Sequence, residues 1–406
     1  MARDKIVVGL EVGTSKVCAV AAELKSDGTI QILGVGEAPS RGVRKGEIVD
    51  IDNCGKCIRE ALADAEEKSD VMIKNVYLGI TGAHVQSFNN RGSFTLPEEQ
   101  EKVGEDDFAR VQEAARKAPI PSQNMFLHTI LQTYHVDGQD GILNPIGMHG
   151  RKLEADFHII HGVANRIKNN IQCLIDLDIE IEDIVFTPYA AAQAILDQTQ
   201  KNTGAIVVDI GGGTTGYIVY TGGAVKQSGV VGIGGDHITN DLSLGLRIPM
   251  GKAEKLKIEE GSCIVGNCVP GEVVALKDEP GFAGREIERE MLNTIINLRV
   301  RETFELLKRE LDKGRYLDYI GSGMVLTGGS SSLHGIQQVA EEIFQMPVQL
   351  CRAQNVSGVT SAFENPQYST AIGLVKYAQA TLEDESGGLL GWLKRLFSII
   401  FLFFLR

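Results

Sequence analysis

Apolar positions near the start of the chain come in two short runs separated by a polar turn. Residues 5–10 (KIVVGL) read as a buried strand, 11–16 (EVGTSK) as a turn with one glycine, and 17–22 (VCAVAA) as the return strand of a β-hairpin. The same signal recurs at 205–208 (AIVV), 209–215 (DIGGGTT) and 216–220 (GYIVY). An offset of 198 residues lays Glu11 on Asp209 and Gly13 on Gly211, which predicts a fold of two similar halves. A third apolar run ends in a glycine turn at 323–330 (GMVLTGGS), and residues 76–80 read as a further strand.

Between these landmarks a helical period predicts helices over 54–68, 164–177 and 188–197. Others run from Gly234-Gly235-Asp236 through 244, over 249–260 with Pro249 near the start, and over about 333–343 and 366–380. Residues 84–162 differ in texture. Strand candidates at 84–88, 131–136 and 155–160 and a helix at 105–117 are set among Gly, Pro and Asn turns, so a separate small α/β module is expected. Residues 381–388 (TLEDESGG) read as an acidic flexible linker.

The tail that follows has its own pattern. Leu389, Leu390, Trp392, Leu393, Leu396, Phe397, Ile400 and Phe401 follow helical spacing, with Gly391, Lys394, Arg395 and Ser398 on the polar side. An apolar face beside a basic strip suits a helix lying in the headgroup plane of an anionic membrane. The run from 389 to 405 is shorter than the roughly 20 residues a spanning helix needs.

Composition narrows the class. A chain of 406 residues with 43% apolar content can bury more than one core. The net charge of −13, with no basic block in the body, argues against nucleic-acid binding. The N-terminus enters a strand at once and lacks the pattern of a secretory signal, so a cytosolic protein is expected. Seven scattered cysteines fit a reducing compartment. Cys54 and Cys57 share one face of a predicted helix, as core residues do. No second close pair joins them, since Cys263 and Cys268 lie five apart. His158 and His161 fall at an odd offset on a predicted strand and should point apart.

Glycine turns at strand ends expose backbone N–H groups and let a phosphate approach closely. The hydroxyls of Thr14, Ser15, Thr214 and Thr215 add donors, and Lys16 adds a positive charge. Asp209, and Glu11 at the matching place, suit Mg²⁺ held through water. A P-loop is absent, as is a G-x-G-x-x-G opening a helix after a strand.

These three turns resemble the phosphate-1, phosphate-2 and adenosine motifs of actin, Hsp70 chaperones and sugar kinases. GILNPIGMHGRKLEADFHII, GKAEKLKIEEGSC, YSTAIGLVKYA and the amphipathic tail resemble the FtsA family, the actin homologues of bacterial cell division. The resemblance implies an α/β fold of two actin-like, ribonuclease H-like lobes around a cleft for ATP and Mg²⁺. By it, Gly13, Thr14, Ser15 and Lys16 form the first phosphate turn, and Asp209 with Gly211, Gly212, Gly213 and Thr214 the second. Gly234, Gly235 and Asp236 lie beside the ribose, Glu254 and Lys257 on a helix over the nucleoside, and Gly328, Gly329 and Ser330 at the adenosine turn. Glu11 stands where actin and the chaperones carry Asp, as in FtsA, which implies at most a slow ATPase.

The implied organisation is subdomain 1A over 1–83, 163–200 and 357–380, 1C over 84–162, 2A over 201–244 and 324–356, and 2B over 245–323. The linker at 381–388 and the membrane helix at 389–406 complete it. Implied partners are the C-terminal peptide of FtsZ at 2B, other division proteins at 1C, further copies in filaments, and lipids of the cytoplasmic membrane's inner face at the division site. Two alternatives belong to the same superfamily. A small-molecule kinase would need a carboxylate base outside the ATP motifs, and a pilus-assembly relative would not explain the tail.

Overall fold

The two predicted hairpins sit at the centres of two sheets with one strand order. In the computed structural model of the chain, which describes residues 5–278, 282–350, 353–359 and 364–386, Lys5–Val12 pairs antiparallel with Lys16–Leu24. Ile30–Pro39 pairs antiparallel beyond them, while Asn75–Ile80 and Glu180–Phe186 add in parallel on the other side. In the second sheet Ala205–Ile210, Thr215–Thr221 and Ala224–Val231 form the meander, and Met324–Thr327 and Val348–Leu350 add in parallel. Both sheets therefore run third, second, first, fourth, fifth in their own strand order, and Val356–Gly358 extends the outer edge of the first. Tight turns suffice for the antiparallel pairs, whereas each parallel addition needs a crossover. Helix Ile51–Ser69 makes one crossover in the first lobe. Helices Gly235–Leu246, Met250–Glu260 and Arg289–Gly314 lie within that of the second.

Alternating strand residues fill two layers. Ala19 and Ala21 face Ile58, Ala61 and Leu62 of helix Ile51–Ser69, in the core that also takes Cys54 and Cys57. Cys18, Val20 and Ala22 face the opposite way, toward Ala190 and Ala194 and toward Ala371, Leu374 and Val375 of the final helix. Val207, Ile218 and Val225 of the second sheet enter this same cluster, so helices Thr187–Ile195 and Ser369–Ser386 are the floor that joins the lobes. Gly373 permits their close packing, because a Cβ there would strike the Ala190 carbonyl oxygen.

The module between the hairpins is a four-stranded sheet with helix Asp106–Arg116 and a core of its own, including Val111, Leu153 and Phe157. Its three long strands, Gln86–Thr95, Asn124–Val136 and Lys152–Val163, outrun the short segments expected at 84–88, 131–136 and 155–160. Polar residues carry much of their length, and pairing rather than apolar patterning extends them. His158 and His161 bond different partners: Asn89 and Ser228 for the first, Asn124 for the second.

The structure adds one long helix and corrects one expectation. The 26-residue helix Arg289–Gly314 was not foreseen, although Leu292, Ile296, Val300, Phe304, Leu307 and Leu311 form its buried strip. That strip is narrow and set among charged residues, so local composition masks it. The linker expected from 381 is helical through Ser386, with Leu382 against the first-lobe core. The rest of that linker and the predicted membrane helix, with Leu389, Leu390, Trp392, Leu393, Lys394, Arg395, Leu396 and Phe397, lie outside the described residues. Among the described residues no helix is long and apolar enough to cross a membrane.

Candidate nucleotide cleft

Glu11 and Asp209 hold matching places, each near the end of the first strand of its sheet. Glu11 lies between Cys18 and Gly79, and Asp209 between Gly216 and Thr327. Both turns close alike: Gly13 N–H donates to the Lys16 carbonyl (3.0 Å) and Gly211 N–H to that of Thr214 (2.9 Å). The turns meet face to face. A Cβ on Gly213 would lie 2.6 Å from Thr14 Oγ1, and one on Gly212 3.1 Å from Ser15 Cβ. The N–H groups of Thr14, Ser15, Gly212 and Gly213 have no backbone acceptor among the described residues. Such oriented donors are an anion cradle.

The remaining turns converge on the second. Gly235 N–H donates to the Gly211 carbonyl (2.9 Å) and Asp236 N–H to that of Gly212 (2.8 Å), which pins the start of helix Gly235–Leu246 there. Ser330 Oγ donates to the Gly211 carbonyl (3.2 Å). Gly328 has φ 83, and a Cβ there would meet Asp209 and the Ile210 carbonyl. A small, partly open pocket lies beside Gly234 and Ser330, with Ile210, Ile238, Thr303 and Phe304 in its lining. Lys257 is buried, and its ammonium donates to Glu254 (2.7 Å), Thr239 Oγ1 (2.9 Å) and the Gly235 carbonyl (3.2 Å). Glu254 and Lys257 thus support the Gly235 turn from behind, with their charges already matched.

Lys16 is also committed. Its ammonium lies 3.0 Å from Glu37 and 3.9 Å over the Tyr368 ring, and the Tyr368 hydroxyl donates to Glu37. Loss of water, and then the charge of Asp209, push the Glu11 carboxyl up to about 8 against the pull of Lys16. Burial raises Asp209 too, offset in part by the Thr370 hydroxyl, which donates to it at 2.9 Å. Two buried carboxyl groups close enough for the charge of one to raise the other are a donor set that suits a hydrated Mg²⁺.

The structure thus brings Glu11, Thr14, Ser15, Asp209, the 211–214 turn, Gly234, Asp236 and Ser330 together. It adds Glu37, Thr239, Tyr368 and Thr370, which sequence reasoning missed. Tyr368 and Thr370 lie in the segment YSTAIGLVKYA, but nothing in it tied them to the cleft, which they reach only because the final helix folds back between the lobes.

Two sheets of one order around converging glycine turns define an actin-like protein. Solved structures agree on the fold. One from a PilM–PilN type IV pilus biogenesis complex matches with TM-score 0.63 at 15% identity over 92% of this chain and 98% of that one. MreB5 of Spiroplasma citri bound to ADP matches with 0.55 at 13% over 95% and 99%. Sequence comparison is more specific. The model of cell division protein FtsA matches residues 206–373, and that of the SHS2 domain inserted in FtsA matches 82–161. FtsA of Pseudomonas aeruginosa is 36% identical over 385 residues, covering 95% of this chain and 91% of the relative. FtsA of Escherichia coli K12 is 33% identical over 408 residues, covering 97% and 96%. The chain belongs to the FtsA family of cell division proteins, which favours the division reading over the pilus-assembly and kinase alternatives.

Proposed function

We propose that the chain binds Mg-ATP between its lobes and that the nucleotide selects a conformation that assembles into filaments. Residues 389–406 lay these filaments on the inner face of the cytoplasmic membrane at the division site, and residues 245–323 receive the C-terminal peptide of FtsZ. The module at 84–162 offers surface to other division proteins and to the neighbouring copy.

The observation that carries this reading is the meeting of the Thr14–Ser15 and Gly212–Gly213 turns, with unspent N–H groups on both sides. These groups with Thr214 hold the phosphates. Glu11 and Asp209 hold the ion through its waters, and the Gly234–Asp236 and Gly328–Ser330 turns border the nucleoside. Magnesium, when bound, neutralises phosphate charge. MreB5 of S. citri, bound to ADP in one structure and to AMPPNP in another, has the same kind of fold. Glu11 is one methylene longer than Asp, and its carboxylate would reach further toward the ion, which favours retention of nucleotide over rapid hydrolysis. A ligand of this kind acts by binding one conformation better than another.

The test is co-sedimentation with anionic vesicles of the full chain and of a chain ending at residue 386, with and without Mg-ATP. The full chain should pellet and form filaments with ATP. The shortened chain should stay in solution yet still bind ATP by calorimetry. Vesicle binding that survives truncation would remove the tail from the reading, and a full chain without ATP affinity would remove the cleft.

A further inference from the structure

A third turn reaches the cleft besides the two phosphate turns. The two-residue strands Val43–Arg44 and Glu47–Ile48 form a small hairpin whose tip is Lys45-Gly46. Both tip residues are left-handed, with φ 52 and 73. For a lysine this conformation costs about 1 kcal/mol or more and persists only where the surroundings hold it. Here they do. The N–H groups of Val49 and Asp50 donate to the Gly42 carbonyl (2.8 and 3.1 Å), Glu47 pairs with Arg166, and Ile48 is buried.

The tip touches both lobes. Gly46 N–H donates to Thr14 Oγ1 (2.9 Å) in the first phosphate turn. The Lys45 backbone lies against the second, since a Cβ on Gly213 would be 2.8 Å from Lys45 Cα and 2.9 Å from its nitrogen. Its side chain passes Gly232, 4.0 Å from Cδ to a Cβ built there. After burial, the charge of Lys45 is the next cause holding the His237 imidazole below its ordinary range. Lys45 is exposed, and no ion pair engages it among the described residues. The other lysines of the cleft are spent: Lys16 on Glu37 and Tyr368, Lys257 on Glu254. The carboxyl groups there, Glu11, Asp209 and Asp236, offer an anion no positive charge.

We propose that Lys45 reads the terminal phosphate of the nucleotide. The strained hairpin fixes its backbone at the junction of Thr14 and Gly213, and its ammonium pairs with the γ-phosphate, so ATP is held more tightly than ADP. This deepens the nucleotide reading of the cleft and rests on it. It also gives the lysine of the 11–16 turn a different task, that of anchoring the turn to Glu37 and Tyr368.

The experiment is equilibrium binding of Mg-ATP and Mg-ADP to the full chain and to Lys45→Gly, Lys45→Gln and Lys45→Arg. Lys45→Gly keeps the left-handed backbone and removes the amine. Lys45→Gln keeps much of the side-chain length without the charge, and answers the same question if Lys45→Gly alters the fold. Both should lose about tenfold in ATP affinity and little in ADP affinity, the size of a hydrogen bond to a charged group. Lys45→Arg should keep most of the preference. Unchanged ATP affinity, or equal losses for the two nucleotides, would overturn the assignment and leave the hairpin as a strut. A parent chain that binds neither nucleotide would overturn the cleft reading itself, and this assignment with it.

Discussion

The hydroxyl of Thr370, in the first turn of the final helix, donates a 2.9 Å hydrogen bond to the carboxylate of Asp209 at the end of the second lobe's first strand. Nearby, the Pro366 carbonyl accepts from Gly328 N–H (3.2 Å) and from Thr327 Oγ1 (3.0 Å). The segment from 366 to 370 is therefore a bolt between the lobes, fastened at the carboxylate proposed to face the magnesium. Thr370→Val replaces the hydroxyl with a methyl group of similar size. We expect Mg-ATP affinity to fall about fivefold, with the melting temperature of the nucleotide-bound protein lowered alongside. Calorimetry that finds parental affinity would show that Asp209 needs no such support.

Asp209→Ala removes the carboxylate itself. At least about a tenfold loss of Mg-ATP affinity is expected, since a charged ligand to the ion's water shell disappears. The dependence on magnesium should shrink with it, so titrations with and without the metal ion separate this role from general damage to the cleft.

The Glu11 carboxyl sits at about 8, far above its ordinary 4.5. Between those two values the folded, ligand-free protein holds a proton that the unfolded chain has released. Stability must therefore fall as pH rises through this window. Thermal melts of the ligand-free protein from about pH 5 to about pH 8 should show a falling midpoint, and Glu11→Gln should flatten the trend. Magnesium should flatten it too and should release protons on binding, which calorimetry in buffers of different ionisation enthalpy reads directly. A midpoint with the same slope in parent and variant would refute the assignment.

Gly213 lies where the two phosphate turns and the Lys45 hairpin meet. A methyl group at 213 would lie 2.6 Å from Thr14 Oγ1 and 2.8 Å from Lys45 Cα, distances that real side chains do not tolerate. Gly213→Ala should hold the lobes apart and abolish measurable ATP binding, while circular dichroism stays that of the parent. An alanine variant that binds ATP normally would mean that the turns separate freely in solution.

The parts of this fold that depend on local physics were legible along the chain. Apolar runs broken by glycine turns specified both hairpins, and their common spacing specified two lobes. Glu11 and Asp209 could be matched by an offset because each follows a buried strand and precedes a glycine turn. What those residues face is set by long-range packing. Lys16 belongs to a phosphate turn by sequence, yet its charge goes to Glu37 and Tyr368, which are 21 and 352 positions away along the chain. Thr370 reaches Asp209 because the final helix packs between the sheets, and Lys45 reaches Gly213 because a two-residue hairpin is folded over the cleft. Periodicity reports which face of an element is buried. It carries no record of which distant backbone that face is buried against, and in this protein the charges of the cleft are set by those distant contacts.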